Sequence, residues 1–222
     1  MNKKLAIKSI LGFLNLLIMM GLSIFIPAGT LYYEQAWLYL TIFFGGVLII
    51  TVYIFIKDKN LLQSRLKVGS IAEKRKVQKI IQGIASIGFI GMYIISGFDQ
   101  RYQWSDLPKW LWVFSDVMLI SAMIFLSMIF KKNTFLSATI EIKEHQQIVT
   151  NGPYSIVRHP MYSAAILLFI FTPLALDSYW ALLTLPLMIM VLVLRSLDEE
   201  RVLNEDLKGY IDYFKKVRYR LT

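Results

Sequence analysis

Arg158, His159, Arg195, Glu199 and Glu200 are the residues whose types can do chemistry in an otherwise apolar chain. The first two belong to a polar stretch, Asn151-Gly-Pro-Tyr-Ser-Ile-Val-Arg-His-Pro-Met-Tyr162, set between long apolar runs. Asn-Gly-Pro turns a chain: Gly152 accepts a positive φ, and Pro153 fixes its own φ and pushes its predecessor out of the helical region. Pro160 stands where an apolar helix begins, and proline in the first helical position sacrifices no intrahelical hydrogen bond. Arg158 and His159 are thereby held at a helix N-terminus, where unpaired N–H groups and a partial positive charge suit a carboxylate-bearing ligand. The competing reading is a bilayer surface: Arg158 snorkels, Tyr154 and Tyr162 join an aromatic belt, and His159 is solvated.

Arg195 and Glu199 are four residues apart and share a helix face. As an exposed ion pair they are worth only ~0.3–0.5 kcal/mol; as cavity residues they offer both signs of charge to a zwitterionic ligand. The chain has no cysteine, which excludes thiolate nucleophiles, iron–sulfur clusters and thiolate zinc sites. No metal is called for.

The elements that position these residues are membrane spans. Of 222 residues 56% are hydrophobic and only 18% charged, too apolar for an ordinary soluble domain. The sequence predicts an all-α integral membrane protein with about six spans. Four form a scaffold over 1–130, at about Ser9–Ile26, Ala36–Ile56, Ile80–Phe98 and Trp110–Phe130, each long enough for ~30 Å of hydrocarbon. The first carries a basic head but no cleavage-site pattern, and reads as a retained span rather than a signal peptide. The region 131–222 holds the polar connector, a short hairpin of about Met161–Leu176 and Tyr179–Leu194 parted by Asp177-Ser178, and a C-terminal helix that Gly209 ends. Five spans plus a re-entrant hairpin is the alternative, since 16 helical residues reach only ~24 Å.

Six spans put all but two of the 24 Lys and Arg, Arg101 and Lys109, on one side. The positive-inside rule then makes both termini cytoplasmic, and a composition bacterial in style suggests an inner membrane. The net charge of +9 is accounted for by a basic surface facing anionic membrane lipid, with no nucleic acid needed. The loop 57–79 reads as an interfacial helix with Lys and Arg turned to headgroups. Asp116 is the one carboxylate inside an apolar run, a functional candidate unless it reaches water at the span end. Thr139–Lys143 alternates polar and apolar residues and reads as an extended connector.

Gly152-Pro-Tyr-Ser-Ile-Val-Arg-His-Pro-Met-Tyr162, followed by the short apolar hairpin, Arg195-x-x-x-Glu199-Glu200 and Tyr210-x-x-Tyr213, resembles the isoprenylcysteine carboxyl methyltransferase family and, more loosely, the membrane phospholipid N-methyltransferases. The resemblance covers roughly 130–221. It implies a pocket for S-adenosylmethionine formed by the connector, the last two helices and the C-terminal segment. Gln146, Gln147, Ile148 and Val149 then line the cofactor before the turn, with Glu141 as a further polar contact. Tyr154, His159, Pro160, Met161 and Tyr162 wrap it, Glu199 and Glu200 hold it from the last helix, and Arg195 faces the methyl acceptor.

These residue types suit a cofactor that carries a sulfonium, an α-ammonium and an α-carboxylate. Glu199 takes the ammonium or the ribose hydroxyls, N–H groups near His159 take the carboxylate, and Tyr154 or Tyr162 faces the cationic sulfur. A carboxylate acceptor, lipophilic or lipid-linked and entering from the bilayer, is already nucleophilic and is oriented by Arg195. An amine acceptor must first lose a proton, with His159 or Glu200 as the base. Three rival readings remain: a membrane reductase using NADPH, against which stands the lack of a Gly-rich dinucleotide fingerprint; a haem protein, against which His145 and His159 both lie outside the spans; and a transporter or assembly factor without a polar pocket.

Overall fold

The structure is a computed structural model that describes residues 2–66, 73, 75–136, 138–140, 146–207 and 209–221. Glu141 and His145 lie outside the described residues.

Among the described residues, five helices are long and apolar enough to cross a membrane. Four of them are α1 (Asn2–Ala28), α2 (Glu34–Lys57), α4 (Lys76–Tyr102) and α5 (Lys109–Lys132), with the short α3 (Lys59–Arg65) between α2 and α4. The fifth runs over Trp180–Asp206, where a 3-10 turn at Trp180–Thr184 leads into α7 (Leu185–Asp206). Between α5 and that turn lies the shorter apolar helix α6 (Pro160–Ala175), and α8 (Tyr210–Lys216) follows α7. The chain is an all-α integral membrane protein.

The four scaffold helices fall where the apolar runs predict them, each a few residues longer at its ends. α6 is short, at 16 residues, and the last helix continues past Leu194 to Asp206, so that the second arm of the hairpin and the C-terminal helix expected before Gly209 are one continuous element.

Helix packing follows small residues. α1 lies on α4, and α5 packs against α2 and α6. At Gly97 the backbones of α4 and α1 meet so closely that a Cβ would clash with the Ile24 carbonyl oxygen, the close approach that small residues permit between membrane helices. The core beside this crossing contains Met20, Ile24, Tyr39, Met92 and Tyr93. The Tyr39 and Tyr93 hydroxyls satisfy each other there at 2.7 Å. Leu11, Ile18, Leu22 and Ile26 of α1 stay exposed; facing lipid, that exposure carries no hydrophobic cost.

Local signals set the ends. Gly29, at φ +68, closes α1 by donating to the Phe25 and Ile26 carbonyls. Asp58 ends α2 and caps α3, its Oδ1 accepting from the Leu61 N–H at 2.9 Å. Leu61 and Leu62 of α3 are buried against Ile54 and Phe130. At the far end of α4, Asp99 accepts from the Ser105 N–H, the Ser105 hydroxyl and the Ser178 hydroxyl. Asp177, beside it in sequence to Ser178, accepts from the Leu107 N–H at 2.9 Å. These bonds tie the α4–α5 loop to the α6–α7 turn. Asp116 does not reach water: it is buried, and its Oδ1 has no hydrogen-bond partner among the described residues.

Candidate active site

The polar stretch turns as its composition predicts. Gly152 adopts φ +60, a 3-10 turn covers Gly152–Ser155, and Pro160 opens α6. The described parts of the connector, 138–140 and 146–150, form neither helix nor strand.

The bilayer-surface reading of the stretch fails on burial, because Tyr154, Arg158, His159 and Tyr162 are each less than a tenth exposed. Tyr154 packs with Ile129 and Ala164, and the end of the chain covers Arg158 and His159. Val157 and Tyr219 form a parallel bridge, and the N–H groups of Arg158 and His159 donate to the carbonyls of Tyr219 and Arg220 at 3.0 and 3.1 Å. Those two N–H groups are thus occupied within the chain and do not face a ligand carboxylate.

Glu200 organises this junction. Its Oε1 accepts from Arg158 Nε at 2.8 Å and from His159 Nε2 at 3.1 Å, and its Oε2 accepts from Arg220 at 2.7 and 2.9 Å. An ionised carboxylate only accepts, so Nε2 carries the proton of the imidazole bond. The Arg158 guanidinium also donates to the carbonyls of Val217 and Arg218, both at 2.8 Å, and stacks 4.3 Å from the Phe214 ring centroid. A buried carboxylate surrounded by this many donors is a strap between α7, the start of α6 and the C-terminal segment. Tyr213 adds to it by donating to the Tyr154 carbonyl at 2.8 Å. Burial pushes the Tyr213 phenol up to about 12, against the opposing pull of Arg158, so it stays a donor at physiological pH.

Beside the strap lies a cavity of about 450 Å³, of the size that takes a small ligand. Glu199 stands in its wall, and so do Gln146–Val149, Tyr154, His159–Tyr162 and Arg195. Glu200 does not: the two neighbouring glutamates divide, one to the cavity and one to the strap. Glu199 Oε2 accepts from the Tyr162 hydroxyl at 2.6 Å and lies 3.8 Å from His159 Nδ1. Tyr154, pushed up by burial, accepts at its hydroxyl from Asn133 at 2.9 Å.

Arg195 is buried and is not the exposed partner of Glu199. It pairs with Glu73 at 2.9 Å and donates to Gln78, Gln82 and the Ala138 carbonyl. The apolar wall comes from two of the long helices and the shorter α6, with Ala85 of α4, Leu168 and Phe169 of α6, and Met188 and Leu192 of α7. The cavity is therefore amphipathic, with charge at one end and hydrocarbon-like side chains along the other.

Residues 110–208 match the family model described as phospholipid methyltransferase. The match indicates a membrane methyltransferase. It runs from α5 through α7 and so contains the polar stretch, Arg195, Glu199 and Glu200. No curated protein matches the chain significantly.

Several residues of the cavity and its support lie outside the phospholipid methyltransferase match, and sequence reasoning missed them: Arg65 of α3, Glu73, Gln78, Gln82 and Arg220. Arg65 faces the cavity rather than headgroups, with its guanidinium 5.2 Å from the Phe130 ring centroid and 3.7 Å from the Met161 sulfur. The signal was present. Arg65 lies one turn after Leu61, so it shares the inward face of α3. Gln78 and Gln82, also four apart, repeat that signal on α4. Arg220 carried none, since only the fold brings the end of the chain to Glu200.

Proposed function

We propose that this cavity binds S-adenosylmethionine and that the protein transfers the methyl group to a lipophilic acceptor, a carboxylate by preference. The observation that carries the proposal is one amphipathic cavity with Glu199 and Arg195 at its polar end and walls from α4, α6 and α7 beyond it. The donor set fits the cofactor. Glu199 Oε1 accepts no hydrogen bond among the described residues and suits an ammonium or ribose hydroxyls, while Tyr154 and Tyr162 offer aromatic faces to a cation. When bound, the cofactor would supply a methyl group activated by cationic sulfur for transfer to a nucleophilic acceptor.

The chain's own residues position and exclude. Arg195, held by Glu73 and two glutamines, is a preorganised partner for an acceptor carboxylate and needs no proton to be moved. The strap around Glu200 closes one side of the cavity against water. The basic residues at the site end favour a cytoplasmic site in a bacterial inner membrane, with both termini on that side. N-methylation of a phospholipid amine is the second reading, favoured by the description of the matched family and by an imidazole Nδ1 near Glu199.

The test is calorimetric binding of S-adenosylmethionine and S-adenosylhomocysteine to the detergent-purified protein. We expect micromolar binding, weakened about tenfold or more by Glu199→Gln, the loss of one charge-assisted contact, with no change in unfolding temperature. No binding to folded protein overturns the reading, and binding of NADPH in its place points to a reductase. Labelled-methyl transfer to membrane lipid separates the acceptors: label released by mild base marks an ester, and base-stable label marks an amine.

A further inference from the structure

We infer that Tyr210 of α8 reads the purine base of the cofactor: its hydroxyl donates to a ring nitrogen while an apolar cleft beside it takes the faces of the ring. This role rests on the reading of the cavity as a site for S-adenosylmethionine. Tyr210 stands in the cavity wall and is only 4% exposed, yet its hydroxyl has no hydrogen-bond partner among the described residues. A buried donor left unsatisfied costs about 1–3 kcal/mol, so it calls for a partner that binds. Tyr213, nearly one turn on, is different, because its hydroxyl donates to the Tyr154 carbonyl at 2.8 Å.

The position of Tyr210 decides which part of a ligand reaches it. Arg195, Glu199, Leu203 and Leu207 follow one another at intervals of four along α7 and into its C-cap, and all four line the cavity. Each interval advances ~6 Å along the helix, so one step past Glu199, on the side away from Arg195, the wall turns apolar. There Ile148, Leu203 and Leu207 pack against the buried Tyr210 and Tyr213. A ligand with its ammonium or ribose at Glu199 and its methyl toward Arg195 lays its base in that cleft.

The hydroxyl also selects among ligand groups. Burial raises the Tyr210 phenol, Glu200 and Glu199 raise it further, and Arg158 opposes them. Tyr210 therefore stays protonated and donates, and its partner must offer a lone pair, which an ammonium lacks. A carboxylate offers one but would meet the repulsion of both glutamates. A ribose hydroxyl is neutral but brings no flat apolar face to the cleft. A purine ring nitrogen meets every condition. Tyr210 lies outside the matched region 110–208, so the segment after α7 contributes to the site as well as covering it.

The decisive ligands are S-adenosylhomocysteine and its 1-deaza, 3-deaza and 7-deaza analogues, each with one ring nitrogen replaced by C–H. Calorimetry on the full-length protein in detergent compares them on wild type and Tyr210→Phe, with thermal unfolding of both proteins free of ligand. On wild type one analogue is expected to bind about three- to tenfold more weakly than the parent, the worth of one neutral hydrogen bond. Tyr210→Phe weakens the parent by a like factor and binds the parent and that analogue equally. The ligand-free variant unfolds no earlier than wild type, since it loses no internal hydrogen bond. Unchanged parent binding by Tyr210→Phe overturns the inference. So does a loss shared by the parent and all three analogues, and so does earlier unfolding of the ligand-free variant, which marks a structural tyrosine. Failure of the parent and every analogue to bind folded wild-type protein removes the cofactor reading itself, a result distinct from these.

Discussion

The two ends of the helical bundle both bury carboxylates, and they satisfy them in opposite ways. At the site end Glu200 is neutralised by charge: two arginines and an imidazole converge on it from segments more than forty residues apart in the case of Arg158 and His159. At the far end Asp99 is satisfied by dipoles, one backbone N–H and two serine hydroxyls, from Ser105 and Ser178. Charge pairing orders long flexible side chains and leaves a polar wall next to an open volume. Dipole pairing uses short side chains and stitches loops directly. The first arrangement makes the border of a site, and the second makes a closure.

The comparison is broken most severely at Glu200. Replacing it with alanine leaves Arg158 buried and unpaired, a change that costs about 3–5 kcal/mol. Thermal unfolding in detergent should show the largest loss of any single variant here, together with loss of S-adenosylhomocysteine binding, while Glu200→Gln should lose less. Asp99→Ala removes three hydrogen bonds to neutral donors, with an expected cost of about 1–3 kcal/mol. Its ligand affinity should be unchanged, because the far end only closes loops; weaker binding would mean the two ends are coupled through α4 and α7. Tyr213→Phe sharpens the comparison at the smallest scale. It deletes only the bond to the Tyr154 carbonyl, about 1 kcal/mol, and should weaken ligand binding slightly by loosening the turn at Gly152–Ser155.

The same contrast explains what was legible in advance. The helices were legible because a bilayer demands about 20 apolar residues per span and forbids unsatisfied backbone, so run length alone defines an element. The turn at Gly152 and the start of α6 at Pro160 were legible because glycine and proline act on their own φ angles. Arg65 was misread because a basic residue in a polar loop usually faces headgroups, and its inward position depends on how α3 folds back on Phe130 and Met161. Glu199 and Glu200 could not be told apart, since adjacent residues on a helix point about 100° from each other and only packing decides which direction is cavity.

By itself, then, the sequence determined an all-α membrane protein, the places of its helices and the polar stretch on which a site is built. Those features follow from local rules of hydropathy and backbone geometry. Tertiary structure alone decided that the chain's last residues bury Arg158 and His159, that Glu73 and two glutamines hold Arg195, and that a scaffold arginine enters the cavity. These are pairings across long sequence separations, and a charged side chain's partner is fixed by which segments the fold brings within about 3 Å, a distance that no local pattern encodes.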